Sequence, residues 1–203
     1  MSYSNLKFAL PLIVTCIMSL NILTFDAVAT PTSPAEVNSN ACAIFKNRPE
    51  WFDDAHQVEK KWGIPVSTQL AIIHQESNFK ANSRPMAKRG SGKVYASTAK
   101  GYSQALRKTW QFYLHDTNRF AATPTNFGDS VDFIGWYADQ AHNHLGINVK
   151  NTRAIYLAYH EGIAGYRSQG YLRHRGIVNI ADKVQRQANI YHSQLSDCVP
   201  QVS

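Results

Sequence analysis

Ser67-Thr68-Gln69-Leu70-Ala71-Ile72-Ile73-His74-Gln75-Glu76-Ser77-Asn78-Phe79 is the stretch whose reading decides the fold. Leu70, Ile73 and Ser77 fall along one side at helical spacing, and Ile72, Glu76 and Phe79 fall along the next. Ser67 is a residue type that caps helix starts. The stretch therefore reads as a helix through about Phe79, with Glu76 in its last turn. Upstream, Trp51, Ala55, Val58 and Trp62 place a helix over 50–62 that ends at Gly63-Ile64-Pro65. Downstream, Pro85 and Gly90-Ser91-Gly92 mark 81–100 as a loop, and helices are expected over 103–117, 127–145, 152–166 and 177–195. No long alternating pattern competes, so the class is all-α in one helical domain, with room for a small β-hairpin only within 81–100.

The ends of the chain read differently. Lys7 precedes an almost wholly apolar run over 8–25, and Ala27-Val28-Ala29 supplies a small-x-small cleavage pattern. Residues 1–29 are expected to be a secretory signal peptide cut after Ala29, and the protein to be periplasmic or secreted. The run is also about long enough for an N-terminal membrane anchor, whereas a lipoprotein reading of Val14-Thr15-Cys16 is weaker. With Cys16 gone, Cys42 and Cys198 remain at the two ends of the mature chain. In an oxidising compartment they are expected to form a disulfide, two free thiols being the alternative. Residues 30–41, rich in Pro, Ser, Thr and Asn, are expected to be a flexible tether, 42–198 the domain and 199–203 a tail.

The formal net charge is +7, and losing Lys7 and Asp26 with the signal leaves it unchanged. A basic exported protein suits an anionic polymer or a membrane surface. Nucleic acid is not an expected partner, because no zinc-finger or RNA-recognition signal accompanies the charge. Stable membrane insertion is not expected after signal cleavage.

Glu76 carries the most specific chemistry. Breaking a glycosidic bond requires an acid that still holds its proton near neutral pH. The C-terminal end of a helix carries partial negative charge, and neighbours such as Ile72 and Phe79 reduce hydration, so both effects raise a carboxyl pKa there. Position alone leaves open a solvated glutamate at a helix end.

Three ordered motifs narrow the choice: Glu76-Ser77-Asn78-Phe79, Gly101-Tyr102-Ser103-Gln104 and Ala158-Tyr159-His160-Glu161-Gly162. In order and spacing they resemble the signatures of the soluble lytic transglycosylase catalytic domain, over about residues 51–195. The resemblance implies a goose-type lysozyme-like fold. It also implies cleavage of the MurNAc–GlcNAc β-1,4 bond in peptidoglycan glycan strands, leaving 1,6-anhydro-MurNAc ends, without cofactor or metal. By position it makes Glu76 the catalytic acid and base and Ser77 its buttress. Gln104 matches an amide that binds sugar, Tyr159 a tyrosine whose hydroxyl orients the substrate N-acetyl, and Tyr191 more loosely a further cleft tyrosine.

Two departures qualify this. Tyr102 and Ser103 replace an apolar Leu-Met pair, which puts the local sugar contacts in question. His160 and Glu161 replace Asn-Ala, and Glu161 is a candidate second carboxylate that would make the enzyme a hydrolytic muramidase. Tyr159 and Glu161, two apart on a helix, are expected to face different directions. A non-catalytic wall-binding scaffold would keep the groove without needing Glu76.

Other features carry less. His74-Gln75-Glu76 lacks the Pro-Cys-x-x-Cys of zinc deaminases, and His160-Glu161 begins a His-Glu-x-x-His motif that fails at Ala164. Trp110, Tyr113, Trp136, Tyr137, Tyr156 and Tyr166 sit at helical spacing and read more readily as core than as sugar platforms. Arg84, Lys88, Arg89 and Lys93 could meet peptide carboxylates or simply be a solvated basic loop. Wall turnover, a secretion or wall-remodelling apparatus, and attack on competitors are all compatible roles.

Overall fold

The computed structural model describes residues 33–198. The expected signal peptide, positions 30–32 of the expected tether and the tail at 199–203 lie outside the described residues. Among the described residues eight α-helices follow one another as α1 (Pro34–Asn38), α2 (Ala41–Asn47), α3 (Pro49–Trp62), α4 (Val66–Ser77), α5 (Arg107–Thr117), α6 (Phe127–Leu145), α7 (Thr152–Arg167) and α8 (Arg175–Cys198). Between α4 and α5, β1 (Met86–Arg89) and β2 (Gly92–Tyr95) pair antiparallel, and a single 3-10 turn (Gly170–Arg173) joins α7 to α8. The all-α class with one small hairpin is therefore the observed architecture. Among the described residues no helix is long and apolar enough to cross a membrane.

The central element is α4. Every residue from Val66 to Ile73 is buried, polar Ser67, Thr68 and Gln69 included. Buried polar groups need partners, and the Gln69 amide nitrogen and the Thr68 hydroxyl have them, whereas the Gln69 side-chain oxygen has none among the described residues. The Gln69 amide donates to the Ala55 and Ile64 carbonyls at 3.0 Å each, and the Thr68 and Thr152 hydroxyls meet at 2.7 Å. These bonds tie α4 to α3, to the turn after it and to the start of α7. Helix α8 packs along α4 and α7, while α3 lies on α6. Ser67 does not cap α4. The helix begins two residues earlier with Pro65 at the cap position, and Ser67 is buried in its first turn.

The described part of the expected tether is ordered. Ser33 and Glu36 form a reciprocal capping box with Pro34 in the first turn of α1, and Asn40 caps α2 by accepting from the Ala43 amide. The Ser, Pro and Asn residues that resemble a disordered composition are the punctuation of two short helices. The Asn38 amide then bonds the Asn78 backbone and side chain at 3.1 and 3.0 Å, so this segment is docked beside the end of α4.

Cys42 and Cys198 form a disulfide spanning 156 residues of sequence. It joins α2 to the last residue of α8 and closes nearly the whole domain. A second tie is ionic. Asp132, 3 % exposed on α6, accepts from Lys61 Nζ at 3.0 Å, Trp62 Nε1 at 2.9 Å and the Tyr113 hydroxyl at 2.8 Å, with Arg119 at 3.0 Å. Burial by itself would raise the Asp132 pKa. The hydrogen bonds from Trp62, Lys61 and Tyr113 and the Arg119 charge outweigh it and hold the carboxyl below its ordinary value.

Two outcomes are expected. Non-reducing mass analysis should find the protein two hydrogens light with Cys42 joined to Cys198, and reduction should cost on the order of 4–5 kcal/mol in the loop-entropy model, read as a lower melting temperature. Two alkylatable thiols in the native protein would contradict this. Because the folded pKa of Asp132 is depressed, its contribution is present above the unfolded value of ~3.9 and is lost as pH falls through the folded pKa. Asp132→Ala should cost about 3–5 kcal/mol at pH 7 in denaturant titrations, and the deficit should shrink as acid protonates the wild-type carboxyl.

Candidate active site

Glu76 stands in the last turn of α4, where the buried part of the helix reaches the surface. The helix stops at Asn78 and Phe79, both left-handed at φ 48° and 58°. Two successive non-glycine residues in that region are uncommon, and they turn the chain sharply away, leaving the Glu76 carboxyl at the edge of a cleft. The cleft has a volume of about 320 Å³ and is lined by Glu76, Gln104, Leu106, Tyr137, Tyr159, His160 and Glu161 among others. Burial raises the Glu76 pKa above its ordinary value, opposed by hydrogen bonding from the Tyr156 hydroxyl and by the nearby His160. The net result is a carboxyl that keeps its proton to higher pH than a solvated glutamate.

One wall of the cleft is the turn at 101–104. Gly101 has φ 80°, and a Cβ there would lie 1.7 Å from the Pro124 carbonyl oxygen, so only glycine fits. The turn is held by Gly101 N donating to the Ser83 carbonyl at 3.0 Å and Tyr102 N donating to the Pro124 carbonyl at 3.0 Å. The Gln104 amide nitrogen donates to the Ser83 and Gly101 carbonyls at 3.0 and 2.7 Å. Both its donor bonds are thus spent on the loop, and its carbonyl is the group left for a ligand. Gln104 itself is at φ 49°. The turn delays α5, which begins at Arg107 rather than at 103.

The departures in this motif have separate fates. Tyr102 does not line the cleft; it packs edge-on against Trp51 and Phe127, with ring centroids 5.5 and 5.9 Å away. Ser103 is fully buried, and its hydroxyl has no hydrogen-bond partner among the described residues. The Ser103 carbonyl does have one, the Tyr159 hydroxyl at 2.6 Å.

The opposite wall is α7. Gly162, at φ 76° and ψ 163°, interrupts the helix. That conformation is essentially confined to glycine. Glu161, the residue before this break, lines the same cleft as Tyr159. Its carboxylate meets His160 Nδ1 at 3.0 Å.

Of the other expected site residues, Ser77 follows Glu76 but is buried, with its hydroxyl donating to the Ile73 carbonyl at 3.2 Å. It stiffens the turn that carries Glu76. Tyr191 is not a cleft tyrosine. It is fully buried on α8, with its hydroxyl bonded to the Asn38 carbonyl and lying 2.8 Å from His74 Nδ1. The tyrosine that meets Glu76 is Tyr156, which sequence reasoning placed in the core. Its pKa is raised by burial and by the facing Glu76. Spacing held a usable signal, because Tyr156 is three residues before Tyr159 and so on the same helix face.

The family model described as the transglycosylase SLT domain matches residues 12–198. No curated protein and no solved structure shows a significant match to the chain. A match over nearly the full length, on a lysozyme-like helical fold with the three motifs drawn around one cleft, means that the chain belongs to the transglycosylase SLT domain family, whose function is peptidoglycan degradation of the lytic transglycosylase type.

Proposed function

We propose that this protein is a lytic transglycosylase that cuts the MurNAc–GlcNAc β-1,4 bond and closes a 1,6-anhydro ring on the muramyl product, with Glu76 as the single acid and base. The observation that carries the reading is the half-buried Glu76 carboxyl, its pKa raised by burial, at the edge of a sugar-sized cleft. In the first step Glu76 donates its proton to the leaving glycosidic oxygen. The carboxylate that results is accommodated by the Tyr156 hydroxyl and by His160, the two groups that favour its ionised form. In the second step it takes the proton of the muramyl C6 hydroxyl as that oxygen attacks C1. The nucleophile is held within the substrate, so it acts at an effective concentration far above that of a free alcohol.

Tyr159 enters differently from the sequence expectation. Its proton is given to the Ser103 carbonyl, so toward substrate its oxygen is an acceptor, suited to the N–H of an acetamido group. The same bond locks the 101–104 turn to α7 and fixes the width of the cleft. Gln104 likewise offers a carbonyl oxygen. Both lining groups therefore favour a ligand that presents donors, as amino-sugar hydroxyl and amide groups do.

The placement of Glu161 supports a second reading. It lines the cleft and is paired with His160, so it could activate a water and convert the same site into a two-carboxylate muramidase. Export through the leader, and action in the periplasm or outside the cell on wall being turned over or opened for an apparatus, complete the proposal.

Digestion of purified peptidoglycan in oxygen-18 water separates the two chemistries. The expected products are unlabelled 1,6-anhydro muropeptides, unchanged in Glu161→Ala; labelled reducing ends that disappear in Glu161→Ala would establish the muramidase instead. Glu76→Gln should lower fragment release by at least about a hundredfold.

The raised Glu76 pKa also fixes two signs. Its contribution to stability is fully present below the unfolded value of ~4.3 and is lost as pH rises through the folded pKa. Glu76→Gln should therefore melt no lower than wild type at pH 7. The first step needs the protonated acid, so its rate should fall as pH rises through the same value. Tyr156→Phe removes a bond that favours the ionised form, and the alkaline limb of its pH–rate profile should move up; a limb that stays in place would remove Tyr156 from the site.

A further inference from the structure

The distribution of charge is uneven in a way that the glycan cleft does not use. Eight of the chain's 21 Lys and Arg residues, and none of its 14 Asp and Glu, lie between Ser77 and His115. The rest of the chain holds 13 bases against 14 acids, so this one segment accounts for the whole positive balance. Its centre is the β1–β2 hairpin, and among the described residues none of the segment's eight cations forms an ion pair.

Register shows how the hairpin presents them. Lys88 pairs directly with Lys93, and Met86 with Tyr95. Directly paired residues share a face and the face alternates along the strand, so Lys88, Lys93, Met86 and Tyr95 project from one side. The Arg84 guanidinium lies 4.8 Å from the Tyr95 ring centroid. Like charges set opposite each other destabilise a strand pair, and a two-stranded ribbon without packing is marginal on its own. Seven of the eight strand residues are exposed, with Met86 at 51 % and Tyr95 at 62 %. The ribbon is nevertheless anchored to the cleft, since the Ala96 amide bonds the Pro85 carbonyl, and Ser83 two residues earlier accepts from Gly101 and Gln104.

From this we infer that the hairpin is a second binding surface, for the carboxylates of the stem peptides carried by a peptidoglycan strand lying in the cleft. The inference rests on the proposed substrate and adds that peptide-bearing strands are preferred to bare glycan. An arriving carboxylate relieves the Lys88–Lys93 repulsion, Arg84 can hold a second one bidentately, and Met86 and Tyr95 offer apolar contact to the peptide between them. Peptide carboxylates are chosen over polymer phosphates because the hairpin base is bonded to the wall of the glycan cleft, where attached stems would lie.

Co-sedimentation with insoluble wall tests this independently of turnover. Wild-type protein should bind intact peptidoglycan about tenfold more tightly than the same glycan stripped of peptides by an amidase, as expected for a few exposed ionic contacts. Lys88→Ala/Lys93→Ala should bring binding of intact wall down toward that of stripped wall, and added salt should do the same to wild type. Lys88→Arg/Lys93→Arg should keep the preference, which separates charge from hairpin structure. Equal binding of wild type to intact and stripped wall would overturn the hairpin assignment and leave the proposed enzyme standing, whereas failure to bind either would count against both. Tighter binding to soluble polyphosphate than to peptide-bearing wall would also overturn it, in favour of a phosphate partner.

Discussion

Helix α4 is buried on every side from Val66 to Ile73, and the rest of the domain is arranged around that burial. An amphipathic helix needs one neighbour, whereas a helix apolar all round needs a shell, and here α3, α6 and α8 contribute to it, with α7 tied on through Thr68–Thr152. Its two ends have different fates. The N-terminal end is fixed to α3 and the turn after it through Gln69. The C-terminal end emerges into the cleft with Glu76 on its last turn. A carboxyl in that position inherits the dryness of the helix that carries it, which is why burial is the largest influence on its ionisation. Fold and chemistry therefore have a single cause.

The cleft exists because the backbone breaks regular geometry on each side of Glu76. Asn78 and Phe79 turn left-handed and end α4, Gly101 lets the 101–104 turn come within contact of Pro124, and Gly162 opens α7. Each conformation costs energy in an L-residue, and glycine removes that cost at two of the three places. The Tyr159–Ser103 bond then joins the two walls. A cleft held in this way has little freedom to widen, which suits a reaction whose nucleophile lies within the substrate.

Much of this was legible in the sequence, and what was not has identifiable causes. Helices α3, α6, α7 and α8 follow the apolar periodicity closely, and α6 begins and ends where expected, because its limits are set by Asn126 and Gly146, residues with strong local preferences. The hairpin was legible from Gly90-Ser91-Gly92. The helices at 34–47 were missed because cap residues and disorder share a composition, and only the capping box distinguishes them. Direction was the harder problem. Glu161 lines the cleft just before the break at Gly162, which periodicity does not encode, and Tyr191 turns inward because α1 and His74 supply partners for its hydroxyl. Tyr156 shows the reverse error. It is as buried as a core residue, yet its hydroxyl reaches the Glu76 carboxyl, so burial and participation in a site are not alternatives for a tyrosine.

Two acids of the same small domain, one buried and one half-buried, show what separates a structural carboxyl from a reactive one. Asp132 is the more exposed to solvation loss in principle, being almost fully covered, yet its pKa is lowered because Lys61, Trp62, Tyr113 and Arg119 surround it with donors and charge. Glu76 is less covered, but the opposing groups are one phenol and one histidine, and its pKa is raised. Donor supply, rather than burial, decides the sign. A carboxylate ringed by donors cannot easily accept a proton and so can only hold the fold together. One with only a phenol and a histidine beside it keeps its proton more readily than a solvated glutamate, and a mechanism in which the same group must first give a proton and then take one back starts from that protonated form.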